Sequence, residues 1–168
     1  MKNIFILIFT LSFFSSLAYG EDPAFNASLV PDVAIYKRTQ TIRGFTLSIW
    51  GENPTRGVSI GLVNGTIGDS AGFSWGVVNY ADRYTGFQLG FFNWAKVSYS
   101  GLQAGVVNFS ERLRGLQFGL VNFARAVDET GVQVGFINIL SENKDFFTDF
   151  PRAIGPAMVI VNWRFKTL

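Results

Sequence analysis

The sequence predicts an all-β fold: an up-and-down antiparallel meander of about eight repeat strands, closed into a small barrel. Three observations carry this expectation. An eight-residue phrase recurs along the chain, its side chains alternate with period two, and the distances between copies fall into two classes.

The chain opens with MKNIFILIFTLSFFSSLAYG. Lys2 precedes an apolar run from Ile4 to Phe14, and Ala18-Tyr19-Gly20 stands before the acidic Glu21-Asp22. That order is the pattern of a secretory signal peptide over 1–20, with 21–168 as a single β-repeat domain. The run is short for a spanning helix, which needs about 20 residues. With no cysteine the chain takes no disulfide from an oxidising compartment, so the fold must rest on packing and hydrogen bonds. The net charge is only +2 and the basic residues are scattered, so no nucleic-acid surface is expected.

After the signal comes SLVPDVAIY (28–36), read as an extra strand that Pro31 limits to an edge or a bulge. The repeats follow: GVSIGLVN (57–64), GFSWGVVN (72–79), GFQLGFFN (86–93), GLQAGVVN (101–108), GLQFGLVN (115–122) and GVQVGFIN (131–138). Degenerate copies flank them at 44–51 and 155–162, so the repeats occupy about 44–165. In 115–122 one face holds Leu116, Phe118, Leu120 and Asn122, and the other holds Gly115, Gln117, Gly119 and Val121. Recurrent glycine disfavours helix by about 1 kcal/mol each, so each copy reads as one strand.

The close copies contain no Asp, Glu, Lys or Arg, while the connections carry Asp69, Asp82, Arg83, Lys96, Glu111, Arg112, Arg114, Arg125, Asp128 and Glu129. Charge is thus expected at strand ends. Distances between first glycines, from Gly44 to Gly131, are 13, 15, 14, 15, 14 and 16. Alternating short and long connections fit the two rims of a meander, and closure would remove its edges. Strands of about ten residues give a height of roughly 25 Å, that of an outer-membrane barrel with its apolar face toward lipid. Two other arrangements fit the same residues. One is a soluble β-domain with the apolar face inward. The other is a β-solenoid, in which identical letters would form ladders of Asn, Gln and Gly. The long gap between Gly131 and Gly155 holds the loop SENKDFFTDFPRAI, and AMVIVNWRF (157–165) reads as a closing strand.

The phrase Gly115 to Ala124, GLQFGLVNFA, resembles the bacterial surface-repeat proteins of the leptospiral type. The order of parts is similar too: a signal peptide, a SLVP-like start, serial repeats and an Asn-aromatic ending over about 28–165. The resemblance implies export and a cell-surface or outer-membrane setting, with no activity to carry over.

Chemistry is poorly supplied. There are no histidines and no cysteines, which removes the usual zinc ligands, Ser-His triads and thiol nucleophiles. Asp145 and Asp149 share the long loop, but they are too few for a calcium site of about 6–8 oxygens. Their loop is expected to fold back through Phe146, Phe147 and Phe150. Gln88, Gln103, Gln117 and Gln133 either line a polar lumen or, as expected for a narrow barrel, fill the interior and bond to one another. Asn64, Asn79, Asn93, Asn108, Asn122 and Asn138 form either a recognition row or, more in keeping with Asn chemistry, strand ends that bond the turn backbone. Asn26, Asn64 and Asn108 begin glycosylation sequons, idle in a bacterial source.

The expected function is therefore an exported outer-membrane or cell-surface β-barrel with a structural or surface-interaction role. It is expected to lack catalysis, cofactor and metal site, with the outer-membrane bilayer as partner. The alternative is a secreted or periplasmic soluble β-repeat binding module.

Overall fold

A computed structural model describes residues 22–166, and the expected signal peptide 1–20 lies outside them. The described chain is all-β, with no helix. Its strands are β1 (Phe25–Val30), β2 (Val33–Ala34), β3 (Ile42–Gly51), β4 (Thr55–Leu140) and β5 (Ala157–Phe165). They form one mixed sheet in the order β2-β1-β3-β4-β5, which does not close into a barrel.

β4 is 86 residues of continuous extended backbone. Drawn straight at about 3.3 Å per residue it would span nearly 300 Å. Instead it winds. Gln117 bonds Gln103 and Asn108 bonds Asn122, both at a separation of 14 residues. A side chain built on Gly115 would strike Gly101, and one on Gly119 would strike Gly105. The offset is constant along the copy. An antiparallel pair would instead keep the sum of the residue numbers constant. Neighbouring copies therefore run in the same direction.

Pairing between the named strands agrees. β3 lies parallel to β4, with Gly44 on Gly57 and Trp50 on Val63, and β1 lies parallel to β3, with Phe25 on Phe45. The expected up-and-down meander is thus overturned, and barrel closure with it. Antiparallel pairing is confined to the two ends. β2 turns back on β1 after Pro31, so 28–36 is a short hairpin, and β5 closes the far end with Gly131 opposite Arg164.

Each turn of the winding has two halves. The first half, glycine to asparagine, presents its second, fourth and sixth residues outward. Its third, the Ser or Gln, points in. The second half comprises the segments expected as connections, such as ERLR and VDET, and these too are strand. They bury Ala81, Tyr84, Ala95, Tyr99, Leu113, Ala124 and Val127 against the first half. The charges expected at strand ends therefore lie on the outer surface of a second layer.

The alternating distances also have a local cause. The fourth inward residue is the thirteenth of a 14-residue turn (Tyr84, Leu113) but the fourteenth of a 15-residue turn (Ser70, Tyr99). The extra residue lies between the third and fourth inward residues, which are three positions apart in the shorter turns (Ala81 to Tyr84) and four in the longer ones (Thr66 to Ser70).

Candidate docking face

The inner wall sets how the outer wall is displayed. Between the two halves run two ladders of amide side chains. Asn64, Asn79, Asn93, Asn108 and Asn122 each donate to the Oδ1 of the next Asn, at 2.8–3.0 Å. Each also donates to a backbone carbonyl of the following turn, those of Trp75, Leu89, Ala104, Phe118 and Val134. The carbonyl belongs to an outward-facing residue, so the ladder holds the register of the outer face. Gln103, Gln117 and Gln133 donate backward to Gln88, Gln103 and Gln117, at 2.7–3.1 Å. All these Gln and Asn side chains are buried, and apart from Gln133 Oε1 at the end of its ladder, their partners offset the cost of removing them from water.

The glutamines thus fill the interior and bond to one another, as expected for packing rather than a lumen. An interior gap lined by Asn26, Ser48 and Asn64 measures about 10 Å³, the room of one water. The asparagines neither form a recognition row nor simply end strands. They sit at a corner, and strict alternation misplaced Asn122 with Leu116, Phe118 and Leu120. Those three face outward, whereas Asn122 turns in.

Glycine is required at two places in most copies. The first glycine stands at a corner with φ near +130° (Gly72, Gly86, Gly101, Gly115), where side chains are strained. The second leaves room for the amide ladder. A Cβ on Gly119 would lie 2.3 Å from the Gly105 carbonyl oxygen and 2.6 Å from Asn108 Nδ2.

With glycine, glutamine and asparagine committed to the inside, the outer wall of the first half is apolar without interruption. Its sixth position reads Ile49, Leu62, Val77, Phe91, Val106, Leu120 and Phe136. All but half-buried Val106 are 52–72% exposed. Beside it runs the fourth position, with Leu47, Trp75 and Phe118 exposed. The second position continues the wall through Phe45, Phe87 and Leu116. β1 extends it with Phe25, whose ring stacks on Phe45 at 6.1 Å, and β5 extends it with Val159, Val161 and Trp163. A shallow hollow lined by Leu62, Trp75, Val77, Leu89 and Phe91 lies on it.

The opposite wall is charged and self-paired. Arg83 meets Asp69 at 3.3 Å, Arg114 meets Glu129 at 3.0 Å, Arg125 meets Glu111 at 2.9 Å, and Arg112 meets Asp128. Each pair joins one turn to the next. One edge between the walls is aromatic, with Phe109 stacked on Phe123 at 4.8 Å and Trp94 edge-on to Phe109. On the same edge, Trp50 Nε1 donates to Tyr80 Oη at 2.9 Å, and the Tyr80 hydroxyl donates to Glu52. Burial and the Glu52 bond push the Tyr80 hydroxyl up to about 12.

In the long loop Asp145 is exposed, and Asp149 lies 3.8 Å from Arg164. Phe146, Phe147 and Phe150 stay more than half exposed, yet the loop does turn back on itself and the closing strand: the Phe146 ring lies over Gly155, Phe147 N–H donates to the Ile154 carbonyl, and Phe150 lies 6.4 Å from Trp163. Asn26 and Asn108 of the sequons are buried in hydrogen-bonded positions, as is Asn64. Among the described residues no helix is long and apolar enough to cross a membrane, which says nothing of strands. No family model, no curated protein and no solved structure matches this chain.

Proposed function

We propose that the chain is an exported β-repeat interaction module, a parallel solenoid of serial copies. It acts at the cell surface or envelope without catalysis. The observation that carries this reading is the uninterrupted apolar outer wall. Monomeric proteins rarely expose a contiguous apolar patch beyond a few hundred Å², and a larger one marks a surface meant to be covered. Supporting the solenoid are the ladders, which return in the same sense every 14–16 residues. Supporting export is the signal-like opening from Met1 to Gly20. The absence of His and Cys from the sequence supports a binding role over a catalytic one.

Fractionation of expressing cells tests it. The protein should appear outside the cytoplasm, in an assembly larger than one chain. A triple variant, Phe91→Thr, Leu120→Thr and Phe136→Thr, should fold and lose that assembly. Cytoplasmic recovery of the chain, or an unchanged assembly in the variant, would refute the reading.

A further inference from the structure

We propose that the occupant of the apolar wall is a second copy of this chain, the two walls packing face to face. The proposal rests on the reading of that wall as a docking surface and names what docks there.

Size comes first. Nine strands contribute: β1, β3, β5 and the first halves of the six copies within β4. At about 4.8 Å between strands the wall is roughly 38 Å long. Three outward residues per strand make it about 18–20 Å wide. The footprint is then about 700 Å² per copy. Doubled, this falls within the roughly 1,200–2,000 Å² of specific stable interfaces.

Charge comes second. A two-fold interface sets one patch against itself, so any charge near its axis meets its like. This wall carries none among its outward second, fourth and sixth residues in the six copies. A bilayer surface is the competing occupant. Interfacial lipid-binding elements add basic residues that engage anionic headgroups. Here Arg83, Arg112, Arg114 and Arg125 are each paired with a carboxylate on the opposite wall.

Shape comes third. The Asn ladder ties each turn to the next through the backbone of the wall itself. The result is a regular pleated surface of the kind that packs on another sheet at about 10 Å.

Sedimentation of the purified full chain without detergent tests this at micromolar concentration. A mass of two chains is expected. Leu120→Lys should weaken self-association by about 30-fold or more, as loss of a central contact does, with unchanged circular dichroism. Arg125→Glu, on the opposite wall, should leave the mass unchanged. A wild-type monomer would overturn the proposal, whatever the variants do. Flotation with vesicles of phosphatidylcholine and phosphatidylglycerol separates the two failures. A monomer that floats, and loses flotation on Leu120→Lys, overturns self-pairing but keeps the docking face. A soluble monomer that does not float overturns both.

Discussion

Asn108 donates its side-chain amide to Asn122 Oδ1 at 2.8 Å and to the Phe118 carbonyl at 3.0 Å, while its own Oδ1 accepts from Asn93 at 2.9 Å. One buried side chain therefore links three successive turns. Asn108→Ala would leave acceptors on Asn122 and Phe118 without this donor, and each such buried group costs about 1–3 kcal/mol. We expect a loss of about 2–4 kcal/mol in urea unfolding, seen as a lower midpoint at unchanged slope. Asn108→Asp should be worse at neutral pH, since it places a carboxylate in the same buried row.

Gly119 and Gly68 make a matched contrast. Alanine at 119 meets the Gly105 carbonyl and the Asn108 amide and must push two turns apart. Overpacking of this kind costs about 1–3 kcal/mol, or more where backbone is struck. Gly68 has φ +68° but open space around a would-be Cβ. Gly68→Ala should cost only the left-handed backbone penalty, about 1–2 kcal/mol. Equal midpoints for the two variants would contradict the ladder geometry.

Alkaline titration should separate the tyrosines. The Tyr80 hydroxyl is pushed up to about 12 by burial and by its bond to Glu52. Burial also raises Tyr84 and Tyr99, and Tyr99 further by its stacked neighbour Tyr84, whose ring lies 6.1 Å away. A phenol raised on folding holds its proton more tightly in the native state. Its contribution is therefore fully present below the unfolded value of about 10 and falls as pH rises through the folded one. Tyrosinate absorbance should show a late phase, and Tyr80→Phe should remove its part near pH 12. Complete ionisation of the tyrosines near pH 10 in the folded chain would refute this.

Glu142 should contribute to acid sensitivity. Burial alone would raise its carboxyl, but the Lys166 ammonium at 2.6 Å, the Val127 N–H at 2.8 Å and nearby Arg164 outweigh it and hold it below the usual range. A depressed carboxyl stabilises the fold above its unfolded value of about 4.3 and loses that contribution as pH falls through the lower folded value. Wild type should exceed Glu142→Gln in stability at pH 7, and the difference should shrink across that acid window. A difference that does not vary with pH would show that Glu142 acts through shape alone.

Much of this was legible in the letters. Period-two alternation gave the β class, and the outward facing of Leu116, Phe118 and Leu120 with Gln117 inside holds in the structure. The self-bonded glutamine interior was also readable, since Gln recurs on the uncharged small-residue face. Asn122 was misread because alternation assumes a straight strand, and the chain turns a corner there.

Strand direction was not settled by alternation. Alternation assigns faces identically in parallel and antiparallel sheets, so the period alone served the barrel and the coil equally, and the recurrence of Asn and Gln at one position, which favours ladders, stood against the two spacing classes. Only three-dimensional stacking distinguishes them: Asn meets Asn at 14, 15 and 16 residues because every copy returns in the same sense. The connection lengths misled because the second half takes either three or four positions between its inward residues, as from Ala81 to Tyr84 and from Thr66 to Ser70, which mimics two kinds of turn. What the sequence determined alone was which side chains avoid water and which carry charge, a property of composition and local period. What tertiary structure decided was where each set points. The charged segments became a second wall rather than rims, because their alternate residues Ala81, Leu113 and Val127 had an interior to fill.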